Sequence, residues 1–405
     1  MLLARLRDYL PTGGVEAIPP DLSGSRPPLG AWASLSMSCE SRRRYRVILC
    51  DALLQPESAL LRDAIGERNC LLVTTPTVAR LYGPAIRAMM KKTNAIGSLI
   101  LPACEETKSM NLVETVCDQA ISQGLDRRGI LIGFGGGVCL DVVTLSASLI
   151  RRGIGHLRIP TTLIGQIDAG IGLKGAVNFR GKKSFIGCFH PPEQVLIDPG
   201  FLRSLNARFI SSGIAEAIKM GLARDPLLFD LVETAAPKLV ASGFAEPRAH
   251  GREILRMSIG AMLEELRRNP YEDKGYERVV DFGHTFSPAL EATQSFNIHH
   301  GEAVAVDMAL SAAIARCLGL IHRDLFDRIV VLLRAASLPV FAPKLNVELC
   351  LEALKESGRH RGGSINLVVP AGIGRTVFLK RAEDVPRSIL SEALRILRRH
   401  ALGDS

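Results

Sequence analysis

Aromatic residues are scarce in this chain, 5% of 405 positions with a single tryptophan, and no recognisable nucleic-acid-binding module accompanies them. The formal charge of +9 therefore does not by itself point to a duplex partner. Part of it lies in local clusters, SRRRYR at 41–46 and LRILRRHA near the C-terminus, which suit solvated faces; the rest is free to line a pocket for a small anion. No apolar run reaches the roughly 18 to 20 uncharged residues needed to cross a bilayer, so no membrane partner is expected. The opening segment MLLARLRDYL carries Arg5, Arg7 and Asp8 and lacks the uninterrupted apolar stretch of a secretory signal. The 9 cysteines are scattered, odd in number and include no Cys-x-x-Cys pair, which argues against a disulfide framework and a thiolate zinc site and predicts reduced thiols in a cytoplasmic protein.

What is present predicts two domains. Residues 11–40 are rich in Pro, Gly and Ser, and 1–44 read as an irregular arm. From Tyr45 the short apolar segments YRVILC, CLLVTT, GSLILP, GILIGF, HLRIP and QVLID alternate with helical stretches, the pattern of βαβ units around a parallel sheet. Beyond Pro199 amphipathic helical stretches dominate, with SINLVVPA as a late strand. The expected fold is an α/β Rossmann-like domain over 45–200 followed by a mainly α-helical metal- and substrate-binding domain over 201–405.

The first chemical signal is LIGFGGGVCLD, an apolar strand that breaks at Gly135, Gly136 and Gly137 and resumes as a helix. Such a turn offers unpaired N–H groups and a positive helix end to a phosphate, and it would equally serve close strand-to-helix packing. Upstream, Glu105 and Lys108 supply a carboxylate for ribose hydroxyls and a cation. Downstream, the stretch from IPTT to CFHPP reads as a long loop whose Lys174, Arg180, Lys182 and Lys183 suit a phosphorylated substrate.

Further along, AEAIK places Glu216 and Lys219 three residues apart on one helical face, the spacing of an ordinary surface ion pair as well as of a reacting pair. GHTF contributes His284 and IHHGEAVA contributes His299 and His300. One carboxylate with two imidazoles leaves coordination positions open on a divalent metal.

Taken in order, GGGV-x-x-D, R-G, PTT, D-x5-K, AE-x-x-K, GHTF and HGEAVA resemble the sugar phosphate cyclases, the superfamily of 3-dehydroquinate synthase, over about Glu105 to Ala305. KGAVNFRGKKS, CFHPP, DFGHTFSP and RHRGG are similar to its sedoheptulose 7-phosphate cyclase branch, the branch of the 2-epi-5-epi-valiolone synthases. The resemblance implies NAD against Glu105, Lys108, Gly135, Gly136, Gly137, Asp141, Thr161 and Thr162, and zinc, or cobalt in its place, on Glu216, His284 and His300. It implies catalytic roles for Asp168, Lys174, Asn178 and Lys219, and substrate contacts for Lys183, Arg278, Asp281 and His360. Arg152 matches an arginine that relatives lend across a homodimer interface. The implied reaction oxidises a substrate hydroxyl, eliminates phosphate, reduces the product again and closes a seven-carbon ring by an aldol step, so NAD is regenerated.

Two positions depart from the dehydroquinate synthase pattern LNLGHTFGH: Asp281 replaces its asparagine and Pro288 its second histidine. An added acid would repel a substrate carboxylate but accept hydrogen bonds from neutral hydroxyls, which favours a polyol phosphate. Arg278 sits one residue closer to the motif, and Ser184 stands where relatives carry asparagine. The competing expectations are a 2-epi-valiolone synthase or 3-dehydroquinate synthase within the family, an iron-containing alcohol or glycerol dehydrogenase, which shares the glycine turn, and a binding protein whose histidines are core residues.

Overall fold

The computed structural model describes residues 44–275, 277–292, 297–360 and 362–402; the side chain of His360 and nearly all of the expected arm at 1–44 lie outside the described residues. Six strands form the main sheet: β1 (Arg46–Leu49), β2 (Cys70–Thr74), β3 (Ala95–Ile100), β4 (Ile130–Gly135), β5 (Gly155–Pro160) and, after a hairpin, β8 (Gln194–Ile197). Their order is β1-β8-β5-β4-β2-β3, every neighbouring pair parallel.

Side-chain alternation explains why the central strands are apolar throughout. Ile130, Ile132 and Phe134 of β4 point into one core, with α1 (Leu60–Ile65) and α2 (Pro76–Met90). Leu131 points into the other, against α3 (Met110–Ser122) and α4 (Gly137–Leu149). From β2 the chain leaves toward β3 at one edge, whereas from the adjacent β4 it leaves toward β5 on the other side. The crevice between the carboxyl ends of β2 and β4 is thus a topological switch point, where open α/β sheets take their ligands.

The expected long loop after β5 is instead structured. A π-helical turn (Gly165–Ala169) leads into an antiparallel hairpin of β6 (Lys174–Phe179) and β7 (Lys182–Phe189). Arg180 and Gly181 form its two-residue turn, both with positive φ, 46° and 76°, the geometry that matches strand twist. Its glycines and cations hide the alternation that marks a strand. At Gly175 a Cβ would lie 2.6 Å from Thr144 Cβ, so only glycine lets the hairpin sit on α4.

Helices dominate from there: α5 (Ala207–Arg224), α6 (Pro226–Ala241), α7 (Arg248–Arg268), α8 (Ser287–Ala292), α9 (His300–Cys317), α10 (Arg323–Ala335), α11 (Val347–His360) and α12 (Arg387–Leu402). The anticipated late strand is β9 (Leu367–Gly372), paired with an unanticipated β10 (Arg375–Leu379). Every residue from Ala303 to Ala315 in α9 is buried, as expected for a helix surrounded by others. Asn206 caps α5, its side chain accepting from Phe209 N at 3.1 Å, a contribution of about 1 kcal/mol. Among the described residues no helix is long and apolar enough to cross a membrane, and the eight described cysteines are free thiols.

Candidate active site

Glu216 lies in the middle of α5, fully buried, and its placement contradicts the ordinary surface pair that its spacing with Lys219 allowed. Lys219 is 1% exposed, its Nζ 2.5 Å from Glu216 Oε2 and 3.4 Å from Asp168 Oδ2 in the π-helical turn. Burying such charges costs several kcal/mol each unless partners compensate. Burial lowers the Lys219 ammonium, but Glu216 and Asp168 outweigh it and hold the pKa above the ordinary range. Burial raises Asp168, which Lys219 only partly offsets, so the two neighbouring carboxyls are driven apart.

His284 and His300 face Glu216 from different elements. His300 Nε2 is 3.2 Å and His284 Nε2 3.9 Å from Glu216 Oε1, and one donor atom from each of the three residues falls within 4.8 Å of the others. The far nitrogens are engaged: His284 Nδ1 lies 3.1 Å from the Phe282 carbonyl oxygen and His300 Nδ1 3.0 Å from Glu291 Oε1. These contacts aim both Nε2 atoms at the carboxylate, the arrangement that orients metal-binding imidazoles. Despite the short ion-pair distances, neither Glu216 oxygen makes a geometrically sound hydrogen bond among the described residues. A buried carboxylate whose oxygens lack a sound hydrogen bond, together with two aimed imidazole nitrogens, fits a divalent cation such as zinc. Burial, then Lys219, lowers His284 to about 4, while for His300 the adjacent Glu216 and Glu291 carboxylates outweigh burial and raise it to about 10.

The hairpin supplies the cations. Lys183 Nζ is 2.6 Å from Glu291 Oε2, and Lys174 Nζ is 2.5 Å from Glu272 Oε1, which also lies 2.5 Å from Arg278 Nη1. Asp281 is 3.7 Å from the same guanidinium. An unbroken series of polar contacts thus runs from Lys183 through Glu291, His300, Glu216 and Lys219 to Asp168.

At the switch point, Gly136 caps α4 and Gly137 opens it. Packing alone explains Gly135, where a Cβ would meet Cys139 Cβ at 2.8 Å, and it presses on Gly136, 3.1 Å from Thr162 Cγ2. It does not explain Gly137, whose Cβ would find only Ala169 at 3.5 Å; room at that helix start suits a ligand phosphate. Thr161 N donates to Gly135 O at 3.0 Å, and Thr162 Oγ1 accepts from Gly165 N at 3.1 Å. Buried Lys108 pairs with Asp141 at 2.6 Å, and Asn178 donates to Glu105 Oε1 at 3.1 Å, joining the hairpin to this region.

Arg152 is exposed in the turn after α4, with φ of 67°. Sequence reasoning gave no role to Glu272, Glu291, Asp307 or Arg158. Arg158, fully buried, donates to Thr144 and to the carbonyls of Gly170, Gly172 and Lys174, tying the π-helical turn to the hairpin. No motif spacing marks these side chains, since their partners lie at separations as different as 6 and 108 residues with no common interval.

A parallel-sheet switch point, joined through a cationic hairpin to a buried acid and two imidazoles in a helical layer, is the architecture of an enzyme site suited to an anionic ligand. The 3-dehydroquinate synthase N-terminal model matches residues 98–212 and its C-terminal counterpart 213–359. The chain is 40% identical over 360 residues to a 2-epi-5-epi-valiolone synthase of Streptomyces glaucescens, covering 88% of this chain and 92% of that protein. It is 33% identical over 346 residues to a 3-dehydroquinate synthase of Acidithiobacillus ferrooxidans, covering 85% and 93%. The solved 2-epi-5-epi-valiolone synthase of Streptomyces hygroscopicus subsp. jinggangensis 5008, with NAD+ and Zn2+ bound, superposes with a TM-score of 0.85 at 38% identity, covering 90% of this chain and 100% of that one. The chain belongs to the 3-dehydroquinate synthase family of sugar phosphate cyclases. An iron-containing alcohol dehydrogenase shares the fold, TM-score 0.60, at 16% identity.

Proposed function

We propose that the chain is a sedoheptulose 7-phosphate cyclase of the 2-epi-5-epi-valiolone synthase type, with NAD at the Gly135–Gly137 turn and zinc on Glu216, His284 and His300. The observation that carries the reading is the contact series from Lys183 to Asp168, because it joins a phosphate-type cation through one imidazole to the acid that the second imidazole, His284, also faces. A simple alcohol dehydrogenase has no use for the hairpin cations. When bound, zinc supplies Lewis acidity for a substrate hydroxyl and NAD a hydride acceptor.

The residues divide the remaining work. Lys174, Lys183 and Arg278 hold the phosphate and stabilise it as it leaves. Lys219, kept charged by its two carboxylates, donates to a substrate oxygen, and Asp168 Oδ2 beside it accepts a hydroxyl proton. Asp281 accepts from neutral hydroxyls and disfavours a carboxylate. Asn178 orders the turn end of the hairpin through Glu105 and Ser184 N. Buried Lys108 and Asp141 border the NAD site, and Arg152 on the exposed turn completes a neighbouring site in a homodimer.

The test is incubation of the pure protein with sedoheptulose 7-phosphate, catalytic NAD and zinc, following phosphate and the carbocyclic product. Phosphate released with NAD regenerated supports the reading. Release only from the acidic seven-carbon substrate of dehydroquinate synthases, or accumulation of NADH with simple alcohols, overturns it.

A further inference from the structure

Glu291 is 14% exposed and spans two groups of different purpose. Its Oε1 lies 3.0 Å from His300 Nδ1, and its Oε2 lies 2.6 Å from Lys183 Nζ on the hairpin. On the opposite side of the same imidazole, His300 Nε2 faces Glu216 at 3.2 Å. His284 has no such tether: its Nδ1 meets the neutral carbonyl of Phe282, two residues away in its own loop. Among the described residues, only one of the two imidazoles is thus connected, through a shared carboxylate, to the segment that would hold substrate.

We propose that Glu291 is a positioning residue that turns His300 Nε2 toward the metal and couples metal affinity to the engagement of Lys183. The proposal rests on Glu216, His284 and His300 being metal ligands. A carboxylate shared between an ammonium and an imidazole N–H gives less of its charge to each. When a substrate anion draws Lys183 away, the carboxylate acts on His300 alone, and the imidazole becomes a better donor at Nε2. Coupling is reciprocal, so a tightly held metal in turn favours release of Lys183 to the substrate.

The experiment measures zinc affinity of the metal-stripped full chain by competition with a chromophoric chelator, without substrate or NAD, so turnover does not enter. Zinc binding by the unaltered protein that is lost in His284→Ala verifies the ligand set independently; absence of binding rejects the ligand set itself. Given that binding, Glu291→Gln is expected to weaken zinc by about tenfold or more. Lys183→Met is expected to tighten zinc by about fivefold in the unaltered background and to leave it unchanged in the Glu291→Gln background. Equal shifts in both backgrounds would mean that Lys183 acts through space, and the proposal would be wrong. Zinc affinity within twofold in Glu291→Gln overturns it as well. Should that variant fail to fold, Lys183→Met, on a half-exposed side chain, still decides: no change in zinc affinity defeats the coupling.

Discussion

Gly301 of α9 crosses Ser212 of α5 so closely that a Cβ on Gly301 would lie 2.2 Å from the Ser212 carbonyl oxygen. One turn beyond Ser212 is Glu216, and immediately before Gly301 is His300, so this crossing sets the acid beside the imidazole. Gly283, with φ of 74°, makes a similar approach to α9: its Cβ would meet Met308 Cγ at 2.9 Å, which brings the neighbouring His284 in as well. Gly301→Ala must therefore push two buried helices apart against backbone. We expect a loss of about 3 kcal/mol or more in urea unfolding, together with reduced zinc content. Full stability and full zinc occupancy would show that the crossing does not set the site.

His284→Ala removes one donor of the cluster without touching the Glu216–Lys219 pair. Zinc measured by elemental analysis should fall to background, and turnover should drop by about 10²-fold or more. Retained activity would refute the assignment of His284 as a ligand.

Glu272 occupies both Lys174 and Arg278 and does so from a left-handed backbone, φ 57°. Under the proposed function it competes with an incoming phosphate for the same cations. Glu272→Gln should lower KM for sedoheptulose 7-phosphate and tighten inhibition by inorganic phosphate, each by about fivefold. A raised KM would instead make Glu272 a substrate contact.

Asp307, fully buried on α9, accepts from Phe286 N and Ser287 N at 2.5 and 2.8 Å and so anchors the segment that follows His284. Burial, countered by those hydrogen bonds, raises its pKa to about 6. A carboxyl raised in the folded state stabilises the fold below its unfolded value near 3.8, and that contribution is lost as pH rises through about 6. Asp307→Asn removes this dependence. Melting temperatures compared at pH 4 and pH 6.5 should show the unaltered protein losing ground to the variant as pH rises; parallel curves would contradict the shift.

Much was legible in local pattern. The strands around Leu71, Leu131 and Val195 are short apolar runs, and the break at Gly135–Gly137 marks a strand-to-helix turn; both depend on residues adjacent in the chain. The hairpin was not legible, because Lys174–Phe189 carries cations and glycines where alternation would be. Nor was the burial of Glu216 and Lys219, whose spacing is that of any exposed helical pair.

The sequence by itself determined the alternating βαβ plan, the glycine turn and the family motifs, since each is written in neighbouring residues whose backbone preferences and periodicity act locally. Only the tertiary structure decided which acid meets which base. Glu291 reaches His300 and Lys183, and Glu272 reaches Lys174, because helix crossings and a hairpin bring them together, and pairings made by packing at separations as different as 9 and 108 residues leave no spacing for a local pattern to record.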